Sequence, residues 1–417
     1  MKGKWIKKTL DECCNFYSGS GFPERFQGHN SGDYPFIKVS DMSLAGNSIF
    51  LTNANNWVSR EIAAYLSAKI IPSGATAFAK IGAAMLLNRR RITVQDTCFD
   101  NNMMAAIPKE TIDGRFIYYI FTTLDFADFS QVTALPSLNL TALKSYMICL
   151  PKIKEDQQHI AYILTSCDDV IEQTEKAIEK YKAIKAGMLQ DLFTRGVDAN
   201  GKLRPKPEDA PELYKDSPLG KIPNEWDDPK ILGDNSIAIL NPIAGSKKDY
   251  FIYIDLECVS DGKILFEKLI SRKEAPSRAQ RVVVDNDILF QLVRPYQKNN
   301  LLFNQCGNYQ YVASTGYAQI RAFCDARYMF YYLHTDQFLG KVLSLCTGTG
   351  YPAITPQALS TILIPLPKEN EQQEIAKRLV SVDSQIISEE QTLAKYRSIK
   401  QGLMKKLLTP PKGALEA

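Results

Sequence analysis

The chain has 417 residues, 45% hydrophobic, 23% charged and 10% aromatic, enough for two or three ordinary domains and outside the range of disordered or fibrous polymers. Fifty Lys and Arg against 46 Asp and Glu leave a formal charge of +4, so overall charge neither demands nor forbids a nucleic-acid partner and local clustering must decide. No apolar run approaches the roughly 20 residues that span a bilayer, and the opening MKGKWIKKTLDECCNF lacks the apolar core of a secretory signal; a cytoplasmic location without a membrane partner is expected. Nine cysteines without Cys-x-x-Cys spacing and three scattered histidines (His29, His159, His334) predict reduced thiols, with neither a disulfide framework nor a metal site.

In chain order, residues 1–150 form a first mixed block. It carries a glycine-rich piece, SGSGFPE (Ser18 to Glu24), a strand-like run PFIKVSDM (Pro35 to Met42), the triplet Arg89, Arg90 and Arg91, and a helix-like aromatic run FIYYIF (Phe116 to Phe121). Residues 151–195 read as one long helix, with an apolar seam in steps of four and three. Residues 196–222, rich in Pro and Gly, read as a linker. A second mixed block follows at 223–366, with FIYIDLECV (Phe251 to Val259), a basic group at Lys268, Arg272, Lys273, Arg278 and Arg281, the stretch QLVRPYQKNN (Gln291 to Asn300) and the aromatic run YMFYYL (Tyr328 to Leu333). A second long helix spans 367–408, and 409–417 is a tail.

The two helices are one text written twice. Glu155 to Phe193 aligns without gaps on Asn370 to Leu408 at an offset of 215, pairing Gln157 with Gln372, Asp168 with Asp383, Tyr181 with Tyr396, Lys185 with Lys400 and Gly187 with Gly402. Upstream, ALPSLNLTALKSYMICLPK (Ala134 to Lys152) matches GYPAITPQALSTILIPLPK (Gly350 to Lys368). A long helix with a single apolar seam needs a cover, and the obvious cover for each is the other. The expected core is Ile160, Leu164, Ile171, Ile178, Tyr181 and Leu192 against Ile375, Leu379, Ile386, Leu393, Tyr396 and Leu407. Thr174 and Glu389, and Lys185 and Lys400, interrupt the seam; an antiparallel pairing separates like from like and carries the lysines toward opposite ends, where they reach water. The fold class is therefore α+β: two mixed α/β domains separated by two long helices that form an intramolecular antiparallel coiled coil with pseudo-two-fold symmetry.

Alternating variable domains and repeated helices, with the phrases LFTRG (Leu192 to Gly196), SPLGKIPNEW (Ser217 to Trp226) and, twice, LPK followed closely by a QQ-I-A helix start, resemble the specificity subunits of type I restriction-modification systems. The first block lacks the Ile-Pro-x-x-Trp lead-in of the second (Ile222 to Trp226), which leaves its start undefined. The resemblance implies two target recognition domains, each reading half of a bipartite site in double-stranded DNA. It also implies helices that space the readers and dock two modification subunits, with restriction subunits joining the complex. S-adenosylmethionine, ATP and magnesium are then used by partners alone, and this chain needs no cofactor and is not an enzyme. Two alternatives stand beside it: an adenine-specific DNA methyltransferase with its own recognition domain, and a coiled-coil protein-binding scaffold. Against the first, NPIA (Asn241 to Ala244) lacks the second proline and the aromatic of the Asn-Pro-Pro-aromatic motif and is expected to be a turn. The glycine-rich SGSGFPE and TGTGYP (Thr347 to Pro352) have no Walker lysine; the second is expected to be a turn, with a DNA-facing loop as the other reading.

Candidate phosphate contacts are Arg89, Arg90 and Arg91 in the first domain and Lys268, Arg272, Lys273, Arg278 and Arg281 in the second, because clustered cations release counterions from DNA. Candidate base readers are Lys80, Asn101, Asn102, Arg294, Gln297 and Asn299, with Tyr296 and Lys298 in the same turn-rich stretch.

Overall fold

Runs of β-branched and aromatic residues bounded by turn formers become strands, and the chain folds accordingly in a computed structural model that describes residues 4–131, 136–234, 237–240, 246–305, 307–348 and 350–415. It divides into two units, Met1–Glu175 with Thr392–Ala417, and Lys176–Gln391, so that each holds one sheet domain and part of both long helices.

In the first unit Tyr34–Ile37 lies between Trp57–Val58, antiparallel, and Cys98–Phe99, parallel. A second sheet runs Cys14–Ser18, Met103–Pro108, Thr76–Ala79, Arg90–Thr93, Phe50–Leu51. The second unit repeats the plan: Tyr250–Ile254 lies between Lys268–Ser271, antiparallel, and Tyr311–Ser314, parallel. Its other sheet runs Ile237–Leu240, Tyr317–Ala322, Asp287–Gln291, Leu301–Leu302. The register repeats as well, with Phe78 opposite Met104 and Phe290 opposite Ala318. The backbone N–H groups of Lys80 and Leu292 donate to Asn102 and Gly316 carbonyls, each at 2.9 Å. The faint sequence likeness between PFIKVSDM and FIYIDLECV therefore marks equivalent strands.

Both aromatic runs are helices, Gly114–Thr122 and Ala326–Tyr332, and an aspartate caps each: Asp113 accepts from Arg115 and Phe116, Asp325 from Arg327 and Tyr328. The long helices are Lys154–Thr194 and Glu369–Leu407, 41 and 39 residues, each about 60 Å at 1.5 Å per residue. The first glutamine of each QQ pair explains the repeated helix start. Gln157, buried, accepts from the Asp113 N–H at 2.9 Å and donates to the Pro151 carbonyl at 2.9 Å. Gln372 accepts from the Asp325 N–H at 3.3 Å and donates to the Pro367 carbonyl at 2.7 Å. A single side chain thus ties the strand before the long helix to the cap of the domain's aromatic helix.

In the first unit Thr174 and Leu393 are buried, and in the second Ile178 and Ile386. Ile160 and Leu164 join Phe116 and Leu143 in one core, against which Leu403 and Leu407 pack, and Leu192, Ile375 and Leu379 join Tyr328 and Phe338 in another. Ile171, Tyr181, Tyr396 and Leu407 are half-buried. Polar pairing runs antiparallel within each unit: Asp168 with Lys400 and Glu175 with Arg397 in the first, Lys182 with Glu390 at 3.2 Å and Lys185 with Asp383 at 2.6 Å in the second. Lys185 and Lys400 thus do not send their ammonium groups into water as expected. Each has an aspartate on the opposite helix within reach, and pairing offsets the loss of hydration in a half-buried site.

The segment 196–222, expected to be a plain linker, is folded. Tyr214–Ser217 and Gly220–Pro223 form a hairpin, and Glu371 Oε1 accepts from the Val197 N–H at 2.8 Å, Arg204 Nη1 at 2.6 Å and Trp226 Nε1 at 3.1 Å. The LFTRG and IPNEW phrases are therefore two sides of one polar knot. Gly196 sits inside it at φ +63°, where a Cβ would stand 2.0 Å from Glu371 Oε1 and 2.8 Å from Trp226. At the chain's start, Trp5 is buried and its N–H donates to the Ala414 carbonyl at 2.8 Å. The eight described cysteines are free thiols, and no described helix is long and apolar enough to cross a membrane.

Candidate nucleic-acid interface

The arginine triplet of the first domain lies at the start of a strand, Arg90–Thr93, and strand geometry sends successive side chains to opposite faces. Arg90 turns inward. It is 2% exposed, stacks 3.7 Å above the Phe126 ring, and donates to the Leu124 carbonyl at 2.7 Å and Asn88 Oδ1 at 2.9 Å; burial pushes its guanidinium down to about 10. Arg91 spends its donors on the carbonyls of Asn47, Arg90 and Met42, and burial lowers its pKa too. Of the three, Arg89 alone is exposed, with Nη1 against Ser43 Oγ. The triplet is therefore corrected to one outward cation, because the other two staple loops to the sheet.

Lys80, Asn101 and Asn102 gather at the turn that leads into the Met103–Pro108 strand. Asn101 and Asn102 are exposed, and Asp100 Oδ1 accepts from the Asn102 N–H at 3.0 Å. Lys80 is half-buried, with its pKa lowered by burial against the opposing pull of Asp100.

In the second domain Lys268, Arg272 and Lys273 are exposed on and beside the edge strand Lys268–Ser271, with Lys268 held by Asp255 at 2.9 Å, and Arg278 is exposed just before Ala279–Val283, the opposite edge of the same sheet. Arg281 departs from the expectation. It points inward from Ala279–Val283, 5% exposed, its Nη1 on the Leu240 carbonyl at 3.3 Å, and burial lowers its pKa. A charge in that place holds the sheet and is withheld from phosphate.

The stretch 294–300 is a tight turn with Arg294 and Lys298 both in the left-handed region, φ 53° and 54°. Arg294 lies over the Tyr351 ring at 4.2 Å and its N–H donates to the Pro352 carbonyl at 2.7 Å, so this turn and the TGTGYP loop form one surface. Tyr296 and Tyr351 are exposed there, as is Gln297, while Asn299 is half-buried. Lys298 is committed elsewhere, to the His334 carbonyl at 3.0 Å and Asp336 at 2.9 Å. Val132 to Leu135, Asn241 to Ala244 and Thr349, and with them the NPIA motif, lie outside the described residues.

Two exposed groups escaped the search for clustered charges. Arg25 donates to the Tyr65 hydroxyl at 2.8 Å across 40 residues of sequence and lies over the Phe26 and Tyr65 rings. Lys247 and Lys248 precede the exposed Tyr250, opposite Ser271 on the same edge as Arg272 and Lys273. Basic residues interleaved with aromatics were the available signal, legible in the run from Lys247 to Tyr250 and hidden by sequence separation between Arg25 and Tyr65.

Taken together, the fold and its exposed basic surfaces define a duplicated protein with two sheet domains and two long helices. A sequence profile described as "Type I restriction modification DNA specificity domain" matches residues 2–181 and 295–396, and the chain belongs to this family. The putative type I restriction enzyme MjaX specificity subunit of Methanocaldococcus jannaschii is 30% identical over 278 residues, 66% of this chain and 61% of that protein. The MjaVIII specificity subunit of the same organism is 27% identical over 320 residues, 72% and 70% of the two chains. The crystal structure of the type I restriction-modification system S subunit from M. genitalium shares the fold with a TM-score of 0.58 at 14% identity, covering 98% of this chain and 97% of that one. A second solved structure, of type I R-M complex assembly and conformational transition, gives a TM-score of 0.53 at 16% identity, with 97% of each chain covered.

Proposed function

We propose that this chain is the non-catalytic, sequence-reading subunit of a type I restriction-modification complex, acting in the cytoplasm. Each sheet domain reads one half of a bipartite site in double-stranded DNA. The two long helices form an intramolecular antiparallel coiled coil with pseudo-two-fold symmetry, which spaces the readers and docks two modification subunits; restriction subunits join through them. The observation that carries this reading is asymmetry within a repeat. The order of the shared strands, their register and the glutamine clamp are the same twice, whereas the exposed or half-buried polar groups differ: Lys80, Arg89, Asn101 and Asn102 in one domain, and Lys268, Arg272, Lys273, Arg278, Arg294, Tyr296, Gln297 and Asn299 in the other. Partner and scaffold surfaces need one shape twice, but two half-sites need different base-reading side chains. S-adenosylmethionine, ATP and magnesium belong to the partners.

The test is the salt dependence of duplex binding by the chain bound to its modification partner. A reader of this kind gives a steep linear fall of log affinity with log salt, a slope of about −0.9 per phosphate neutralised. A flat dependence would favour a protein-binding scaffold instead.

A further inference from the structure

Two triads, each buried or half-buried, recur at equivalent places, one in each unit. Tyr119, on the aromatic helix of the first domain, donates to Asp168 Oδ2 at 2.7 Å; Asp168 Oδ1 takes Lys400, whose Nζ lies 5.7 Å from the Tyr119 ring centre. Tyr331 donates to Asp383 Oδ2 at 2.7 Å; Asp383 Oδ1 takes Lys185 at 2.6 Å, with the Lys185 Nζ 5.5 Å from the Tyr331 ring centre. Each triad joins three elements of its own unit: the domain's aromatic helix and a segment of each long helix.

An apolar seam that repeats every seven residues is nearly as well satisfied when one helix slides by a heptad, so it specifies pairing without specifying register. A half-buried aspartate with one ammonium in reach has no such tolerance. In any slid register the carboxylate stays behind without its cation, which is strongly disfavoured. The tyrosine adds a second constraint, since its hydroxyl is tied to the same carboxylate.

We propose that the Tyr119–Asp168–Lys400 and Tyr331–Asp383–Lys185 triads are positioning groups for specificity: they fix the axial register of the helices and the seat of each reader on them, and so fix how many unread base pairs separate the two half-sites. This rests on the DNA-reading proposal above. The triad residues touch no DNA themselves. Their influence passes through the helices, so they bear on spacing and leave the bases read at each half-site unchanged.

The experiment uses the full chain reconstituted with its modification partner, methylating duplexes that carry the mapped site with its native spacer or with one or two base pairs added or removed. Asp168→Asn keeps the shape of the carboxylate and removes its charge; Tyr119→Phe removes only the hydroxyl. Each is expected to shrink the preference for the native spacer by about tenfold, an energy within the usual range for coupled neighbours, while half-site base preferences stay as they were. Lys400→Arg keeps a cation and is expected to keep the spacer preference. Should Asp168→Asn lose helical content by circular dichroism, Tyr119→Phe decides. Spacer preference unchanged in both variants, with folding intact, would overturn the inference alone. A wild-type complex that ignores half-site sequence would overturn the DNA-reading proposal and this inference with it.

Discussion

Replacing Gln157 with leucine deletes one acceptor and one donor from the point where the first long helix leaves its domain. The glutamine is 1% exposed, and its two nearest backbone partners, the Asp113 N–H and the Pro151 carbonyl, lie at 2.9 Å, with the Thr111 carbonyl at 3.5 Å. Leucine has nearly the same volume, so packing changes little and the loss is polar. Each backbone group left without its partner costs about 1–3 kcal/mol, and partial rehydration of the half-buried Asp113 trims the sum to about 2–4 kcal/mol. At about 1.4 kcal/mol per factor of ten, the Asp113 amide is expected to exchange with solvent roughly 30- to 1,000-fold faster. Hydrogen exchange followed by mass spectrometry on peptides spanning 109–120 measures this, with denaturant unfolding of the whole chain as the companion. The equivalent Gln372→Leu should accelerate exchange at Asp325. Unchanged protection at Asp113, together with a stability loss below about 0.5 kcal/mol, the level of an ordinary surface change, would refute the clamp.

Arg89→Glu should weaken duplex binding by the partner-bound chain and flatten its salt slope by about one or two phosphates, whereas Arg90→Glu should unfold the first domain, since it buries an acid among Phe126 and carbonyls; equal effects on binding with both proteins folded would contradict the assignment. Gly196→Ala should lower stability by about 2–4 kcal/mol, through left-handed strain and the collision with Glu371, and a thermal midpoint within a degree of wild type would dismiss the knot. The His334 imidazole is pushed down to about 4, first by burial, then by the neighbouring charges of Lys185 and Lys298 against a hydrogen bond to the Phe330 carbonyl. Its unfolded form holds the proton more tightly, so stability present above about pH 6.5 is lost as pH falls toward 4, up to about 3 kcal/mol; a His334→Gln variant should lose that part of the acid sensitivity, and an identical pH profile would refute it. Calorimetry of the isolated chain with S-adenosylmethionine should register no binding, and a saturable isotherm would assign cofactor chemistry to this chain.

Period and repetition made the helices legible before any coordinates. Steps of four and three singled out Ile178 and Ile386, both of which are buried, and the aligned strand-like runs PFIKVSDM and FIYIDLECV occupy the same sheet position. What stayed hidden depended on contacts remote in sequence. Lys185 and Lys400 looked like interruptions because their aspartates lie on the other helix. The segment 196–222 looked structureless because its order comes from Glu371. Charge clusters proved a poor guide to surface: Arg90 and Arg281 stand at inward positions of strands, a distinction that requires knowing where each strand begins. Least legible of all was which loops meet, as those of Arg294 and Tyr351 do.

Methylation mapping of the genome in cells with and without this chain tests the central claim most directly. A two-reader specificity subunit predicts a modified motif of two short, different half-sites separated by a fixed run of unread bases, present with the chain and absent without it. A continuous motif, or a methylation pattern indifferent to the chain, would contradict it.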